Sequence, residues 1–373
     1  MKTKVIKVDP ARVDLASVRE AAKLVDAGGI VAFPTETVYG LACRVESSSL
    51  AKLDDVKGRA PQKHYTVHIG DKVDIQKYVP SIGLRAEKLI RKGWPGPVTI
   101  VFELGAEDIC KQESRVDQDV FRSLYKGGSV GIRCPDDPVA KVLLQQAKSP
   151  IVAPSANRTG QPPATDADTV LAHFSGQIEL LLDAGPSKYK KSSTVVKIGK
   201  RGPTVLRLGV YSQAELQEMS DVKFLFVCTG NSCRSPMAEG MFQKHLAKKL
   251  QCKVDELDAM GYKVVSAGVM GMSGMPASAE AIAACAAKGI DIKAHKSTAL
   301  TAQLVEESDF IYAMDETHCE RIAGFGPDTA AKCVLLAENR AIADPIGQPQ
   351  QIYNKCAELI EEAVKKRVNE LVL

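Results

Sequence analysis

The run Phe224–Glu239, FLFVCTGNSCRSPMAE, constrains this chain more than any other stretch. Phe224–Val227 is a short apolar run that reads as a buried strand. The loop Cys228-Thr-Gly-Asn-Ser-Cys-Arg234 follows, and then Ser235, Pro236 and a helical pattern. Five residues separate Cys228 from Arg234. That spacing lets a tight loop wrap one tetrahedral oxyanion, with its amides turned inward as in phosphate nests and at helix N-termini. The same field lowers a thiol pKa, which predicts a Cys228 thiolate near neutral pH. Arg234 is expected to clamp two phosphoryl oxygens with its planar fork. Pro236 suits the first turn of the closing helix.

Around this loop, strands and helices alternate. Met237–Leu250 reads as a helix, Val264–Gly268 as a strand ending in small residues, and Pro276–Lys288 as an Ala-rich helix ended by Gly289. Asp309–Met314 is a strand with Asp315 opening the next helix. Cys333–Leu336 is another strand, and Ile352–Val372 a long amphipathic helix. Such alternation predicts an α/β unit with a doubly wound parallel sheet, its phosphate loop at the C-terminal edge.

Strand, Cys-x5-Arg, Ser-Pro and helix occurring together resemble the low-molecular-weight protein phosphatases, which act on phosphotyrosine or phosphoarginine. The resemblance implies catalysis by Cys228, Arg234 and Asp344, with no cofactor. Asp344, in Asp344-Pro345-Ile346-Gly347, matches the family's acid: it protonates the leaving group, then deprotonates the water that hydrolyses the phosphocysteine. Thr229, Gly230, Asn231, Ser232, Cys233 and Ser235 complete the loop. Asn231 holds its strained shape and Ser235 hydrogen-bonds the thiolate. Cys233 either packs or forms a protective disulfide with Cys228. Tyrosine phosphatases of the family usually place an aliphatic residue at the position of Ser232, and arginine phosphatases a Thr. Ser232 and Asp-Pro-x-Gly together favour phosphoarginine on proteins. Arsenate reductases of similar sequence also read CTGNSCRS, but need two further cysteines. Cys319 and Cys333 lie downstream, while Pro236 stands where those enzymes usually carry Gln.

The first half has its own pattern. Leu15–Ala27 is a helix stopped by Gly28-Gly29, and Ile30–Phe33 a buried strand running into Pro34–Leu41, PTETVYGL. Lys57-Gly-Arg59, Lys63 and His68 follow a helical segment, with His64 at the surface. WPGPVTIVF at Trp94–Phe102 is a turn feeding a strand. Ser129–Pro135 is a strand carrying Arg133. Ile151–Asn157 is a strand running into Ser155 and Asn157, and Ser193-Thr-Val-Val and Arg207 close the region.

PTETVYGL, Lys-x-Arg, PGPVT, APSAN-x-Thr-Gly and STVV, in that order, are similar to the YrdC-like family, the threonylcarbamoyl-AMP synthases, across about Val8 to Leu216. The resemblance implies a strongly twisted mixed α/β domain with an open, electropositive groove. L-threonine, bicarbonate and ATP would give threonylcarbamoyl-AMP and pyrophosphate, with Mg²⁺ on the phosphates. A separate transferase complex would then modify tRNA. Thr35, His68, Arg133 and Ser193 would surround threonine. Lys57, Arg59, Lys63, Ser129, Ser155, Asn157 and Arg207 would hold ATP. An RNA-binding groove without synthase activity is the non-enzymatic alternative. Two departures stand out: His64-Tyr65 replaces the usual Pro-Leu, and Pro163 replaces a Ser after APSAN.

The chain of 373 residues suggests two or three domains, its 45% hydrophobic and 25% charged content is enough for real cores, and its net charge of +4 does not by itself argue for nucleic acid. Polar Gly209–Asp221 joins two complete patterns, which sets domains at 1–216 and 222–373. No apolar run approaches a membrane span, MKTKVIKVDPARVD lacks a signal-peptide core, and ten irregularly spaced cysteines read as reduced thiols, so the expected location is cytoplasmic. No metal ligation by side chains is expected.

Overall fold

The structure, a computed structural model, describes residues 2–59, 64–199, 201–338 and 340–373. It divides into two units, one formed by residues up to Ile82 with Ala86–Ser220, the other by Gly83–Arg85 with Asp221–Leu373. The helix Gln213–Ser220 runs through Leu216, which is buried in the first unit's core. The break therefore falls at Ser220–Asp221.

Among the described residues the first unit holds ten strands: β1 (Lys4–Lys7), β2 (Val31–Phe33), β3 (Gly40–Arg44), β4 (Thr66–His68), β5 (Val98–Glu103), β6 (Ser129–Arg133), β7 (Ile151–Val152), β8 (Leu180–Asp183), β9 (Thr194–Gly199) and β10 (Gly202–Arg207). They form one mixed sheet in the order β1-β8-β2-β3-β7-β4-β6-β5-β9-β10. The run Ile30–Phe33, whose last three residues are β2, is apolar throughout because both its faces are covered. Val31 and Phe33 pack into one core, and Ile30 and Ala32 into the other.

The second unit is a four-stranded parallel sheet in the order β12-β11-β13-β14, formed by β11 (Val222–Cys228), β12 (Tyr262–Gly268), β13 (Phe310–Ala313) and β14 (Cys333–Leu335). Interior strand β11 alternates in the same way. Phe224 and Phe226 meet Phe242 at 4.7 and 5.2 Å between ring centroids on one face, while Leu225 and Val227 fill the other. Burying such rings contributes about 1.5–3 kcal/mol each, which fixes the register that delivers Cys228 to the C-terminal edge. The helix Arg234–Leu250 leaves from that edge. Among the described residues no helix is long and apolar enough to cross a membrane.

Candidate active sites

In the first unit, strand ends gather the predicted groups. β4 and β6 are parallel with His68 opposite Arg133, and Arg133 is also opposite Thr99 on β5. Thr99 Oγ1 lies 3.0 Å from Ser193 Oγ, just before β9. A bridge from Gly40 to Ser155 brings in the turn after β7. The result is a cavity of about 330 Å³ whose walls include Thr35, His68, Arg133 and Ser193. Lys57, Arg59, Ser155, Asn157 and Arg207 line it as well. Lys63 lies outside the described residues.

Ser129 is a correction. It stands at the opposite end of β6, paired with Glu103, and its hydroxyl donates to Lys126 O at 3.2 Å. Four residues of strand put it about 13 Å from Arg133, away from the groove. Lys57 also differs in role: its ammonium donates to the carbonyls of Ser155 and of Asn157 (2.7 Å), tying down the turn it was expected to share with phosphates.

Arg133 is the centre of the groove's charge. Its Nη2 donates to Glu36 Oε1 at 2.8 Å and to Thr37 Oγ1 at 2.6 Å. Thr35 Oγ1 lies 3.5 Å from the same nitrogen and donates its own proton to Val38 O at 2.6 Å. Arg133 and Glu36 are both buried, yet Arg133 Nε and Glu36 Oε2 have no partner among the described residues. Burial and the neighbouring Arg133 push the His68 imidazole down to about 3, so it is neutral at physiological pH. Burial, then Arg133, also lowers the Arg207 guanidinium. Arg207 Nη2 holds Ser193 O at 2.8 Å. Sequence reasoning passed over Glu36, Thr37 and Gly209. A Cβ on Gly209 would sit 2.3 Å from Ser193 C and Thr194 N, so only glycine lets the chain pass there. Cations and hydroxyls of this kind suit carboxylates and phosphates. Among the described residues no group of three or more His, Cys, Asp or Glu could hold a metal ion.

In the second unit the loop after β11 closes on the Cys228 sulfur. Asn231 N donates to it at 3.3 Å, and Ser235 Oγ lies 3.0 Å away. The direction of that last bond follows from Asn231. Its Oδ1 accepts from the backbone amide of Thr298 at 2.7 Å, so its Nδ2 donates to Ser235 Oγ and Ser266 Oγ, both at 2.8 Å. Ser235 therefore accepts from Asn231 and keeps its own proton for the sulfur. Asn231 adopts φ +53°, left-handed for a non-glycine residue, and its carbonyl lies 2.8 Å from His295 Nε2. Gly268, on the neighbouring strand, completes the mould: a Cβ there would lie 2.9 Å from Asn231 N and Thr229 O.

The thiol itself corrects an expectation. Cys228 is 2% exposed, and burial raises its pKa above the ordinary thiol value, against Ser235, Arg234 and the Asn231 amide, which lower it. Burial depth cannot be seen in a motif, which is why the loop's field alone suggested a ready thiolate. Because Ser235 opposes burial most, Ser235→Ala should slow thiolate-dependent chemistry. A hydrogen bond to a charged group is worth about 1.5–3 kcal/mol, so turnover at neutral pH should fall about ten- to hundredfold. The deficit should narrow as pH rises and the thiol ionises unaided, which a pH series of Cys228 alkylation and turnover would read.

Arg234 also departs from expectation. Its Nη2 donates to Asp344 Oδ2 at 2.5 Å and Thr229 Oγ1 at 2.9 Å, and its Nη1 to Asp315 Oδ2 at 3.1 Å and Ile342 O at 2.9 Å. Both tines of the fork are engaged by protein. The buried Nε has no partner among the described residues. Asp315, read from sequence as a helix start, is a ligand of this guanidinium. Its helix also carries buried His318, whose Nε2 lies 3.1 Å from Thr229 Oγ1. Gly230 completes the loop, and a Cβ there would meet Ser232 Oγ at 3.5 Å. Ser232 is half-buried, and among the described residues its hydroxyl meets only Cys233 Sγ, at 3.6 Å. Cys233 Sγ sits between Tyr353 OH (3.4 Å) and Ser278 Oγ (3.5 Å), and both loop cysteines are free thiols.

Comparison with known proteins finds a different family on either side of residues 210–222. The Sua5/YciO/YrdC family model, described as telomere recombination, matches residues 23–209. The low molecular weight phosphotyrosine protein phosphatase model matches residues 223–372. The threonylcarbamoyl-AMP synthase of Pyrococcus abyssi (strain GE5 / Orsay) is 30% identical over 249 residues, which is 66% of this chain and 69% of that protein. The low molecular weight protein-tyrosine-phosphatase Etp of Escherichia coli K12 is 32% identical over 151 residues, 39% of this chain and 93% of that protein. The solved structure of P. abyssi Sua5 complexed with L-threonine is similar with a TM-score of 0.52 at 26% identity, covering 61% of this chain and 72% of that one.

Proposed function

Because this chain belongs to the Sua5/YciO/YrdC family in its first half and to the low-molecular-weight phosphatase family in its second, we propose that it is a bifunctional cytoplasmic enzyme whose two domains meet at Ser220–Asp221, four residues beyond the boundary expected from sequence. The first domain forms L-threonylcarbamoyladenylate from L-threonine, bicarbonate and ATP. A transferase complex then uses that product on tRNA. The buried Arg133, with its unpartnered Nε in a groove of cations and hydroxyls, carries this reading. Arg133 receives the threonine carboxylate beside Thr35, neutral His68 and Ser193. The carbamate oxygen attacks the α-phosphate and pyrophosphate leaves. No side-chain nucleophile is needed, so catalysis is by position and fixed charge. Arg59 and Arg207 supply the charge, Lys57 holds the Ser155–Asn157 turn beside them, and Lys63 is a further candidate. Ser155 and Asn157 place the nucleotide, and Mg²⁺ arrives with ATP. Threonine- and bicarbonate-dependent consumption of ATP tests it, with Lys57→Ala and Arg59→Ala as controls.

The second domain hydrolyses phosphoarginine on proteins. Cys228 attacks phosphorus, the P–N bond breaks, and Asp344 delivers a proton to the departing guanidine. The phosphoryl oxygens take Arg234 Nε and displace Asp344 from Nη2, which frees the carboxyl for acid–base work. Asp344 then takes a proton from water as the water oxygen attacks phosphorus and Cys228 leaves. The half-buried Ser232 hydroxyl supports phosphoarginine, since a guanidinium needs hydrogen-bond acceptors beside the phosphoryl group. The tyrosine-phosphatase reading is favoured by the similarity to Etp. Phosphate release from the two phosphoamino acids, measured side by side, decides between them. Ser232→Ile should move the preference towards phosphotyrosine by about tenfold, as the loss of one hydrogen bond to a charged group does. An unchanged ratio would reject the role given to Ser232.

A further inference from the structure

Outside both sites, two cysteines lie side by side. Cys319, on the helix Glu316–Ala323, and Cys333, which opens β14, have sulfurs 3.7 Å apart. Both are free thiols of intermediate exposure. Cys43, Cys134, Cys228, Cys233, Cys285 and Cys356 are buried. The thiols are therefore near each other and within reach of a small solute. β14 is the edge strand of its sheet, and the helix packs beside it in the smaller core layer.

We infer that Cys319 and Cys333 are a redox modification site, forming a reversible disulfide when the chain meets hydrogen peroxide or a low-molecular-weight disulfide. A disulfide needs the sulfurs to close to about 2.0 Å, less than 2 Å nearer than they stand. The Cys333 thiol donates to the Cys319 sulfur, which makes Cys319 the better stabilised thiolate and the attacking group. With peroxide, Cys319 sulfur takes one oxygen as a sulfenic acid and releases water. Cys333 sulfur then attacks that sulfur and expels a second water. Two thiols and one peroxide give one disulfide and two waters, and the sulfurs lose two electrons. With a low-molecular-weight disulfide, the Cys319 sulfur attacks one of its sulfurs and expels the other as a thiol, and the Cys333 sulfur then attacks the Cys319 sulfur and expels the second thiol, so one disulfide is exchanged for another; excess dithiol runs the same exchange backwards. Burial raises both thiols above their ordinary range, so the reaction accelerates with pH, about tenfold per unit near neutrality. The bond ties the helix that carries His318, and is capped by Asp315, to the sheet edge.

The test uses the full chain. Protein is treated with hydrogen peroxide or glutathione disulfide, alkylated, digested without reductant and mapped by mass spectrometry. The expected result is a peptide cross-linked between Cys319 and Cys333 that dithiothreitol removes. It should form equally in Cys228→Ser and be absent from Cys319→Ser and from Cys333→Ser. Recovery of both thiols alkylated at an oxidant dose that modifies exposed Cys110 overturns the inference. A cross-link that requires Cys228 overturns it too, because that would be a relay through the nucleophile. Mapping in the unsubstituted chain keeps the test valid should a serine variant fold poorly.

Discussion

Arg133→Ala should abolish threonine-dependent ATP consumption and destabilise the first unit. The side chain is buried against Glu36, with N–O 2.8 Å and both side chains under a tenth exposed. Truncation leaves the Glu36 carboxylate without its counter-charge, and removing one partner of a buried pair typically costs about 3–5 kcal/mol. Thr35 and Thr37 lose the donor that holds their hydroxyls in the groove. For a unit of this size the loss lowers the melting temperature by roughly 6–20 °C. Stability and catalysis must be separated, because an unfolded unit is also inactive. Arg133→Lys keeps a charge opposite Glu36 but has no Nε to offer in the plane of a fork. It should retain most of the stability and still lose threonine dependence, through KM above all. A lysine variant as active as the parent would show that charge alone is required and would refute the planar carboxylate contact.

Cys228→Ser should lower phosphate release by at least about a thousandfold, the scale on which removing a covalent nucleophile acts. Serine fills nearly the same space, so the hydrogen bonds from Asn231 N and Ser235 can persist with oxygen in place of sulfur. A hydroxyl does not ionise in the range where this site works. Inorganic phosphate should still bind, because Arg234 and the loop amides are untouched. Calorimetry of the variant with phosphate, set against its turnover, therefore distinguishes a lost nucleophile from a collapsed loop. Residual turnover within tenfold of the parent would mean that the cysteine is not the attacking group.

Much of this could be read in the residues. β11 announces itself because a strand covered on both faces is apolar through its middle, Phe224–Val227, and Cys228 is its last residue. The groove of the first unit was legible only through the resemblance, because polar turns after short apolar runs such as Pro34–Leu41 read on their own as ordinary loops. Ser129 misled because a strand's residues do not say which of its two ends faces the groove. Asp315 was missed because its bond to Arg234 spans 81 positions and resembles any helix cap in sequence. The direction of the Arg234 fork depends on carboxylates brought by two later segments, and the Cys228 pKa depends on burial. Neither quantity belongs to the motif that suggested it.

Gly268 carries a consequence for anyone moving this chemistry elsewhere. The phosphate loop borrows one wall from the backbone of the adjoining strand, at a point where even a methyl group would touch Asn231 N and Thr229 O. The heptapeptide Cys228–Arg234 is therefore not a portable cassette. Transplanted onto another parallel sheet it would keep its letters and lose its shape, unless the recipient also offered a bare α-carbon on the neighbouring strand and hydroxyl and amide partners for Asn231. The unit that can be transferred is a pair of strands, and a library built to find new hosts for it should vary the two together.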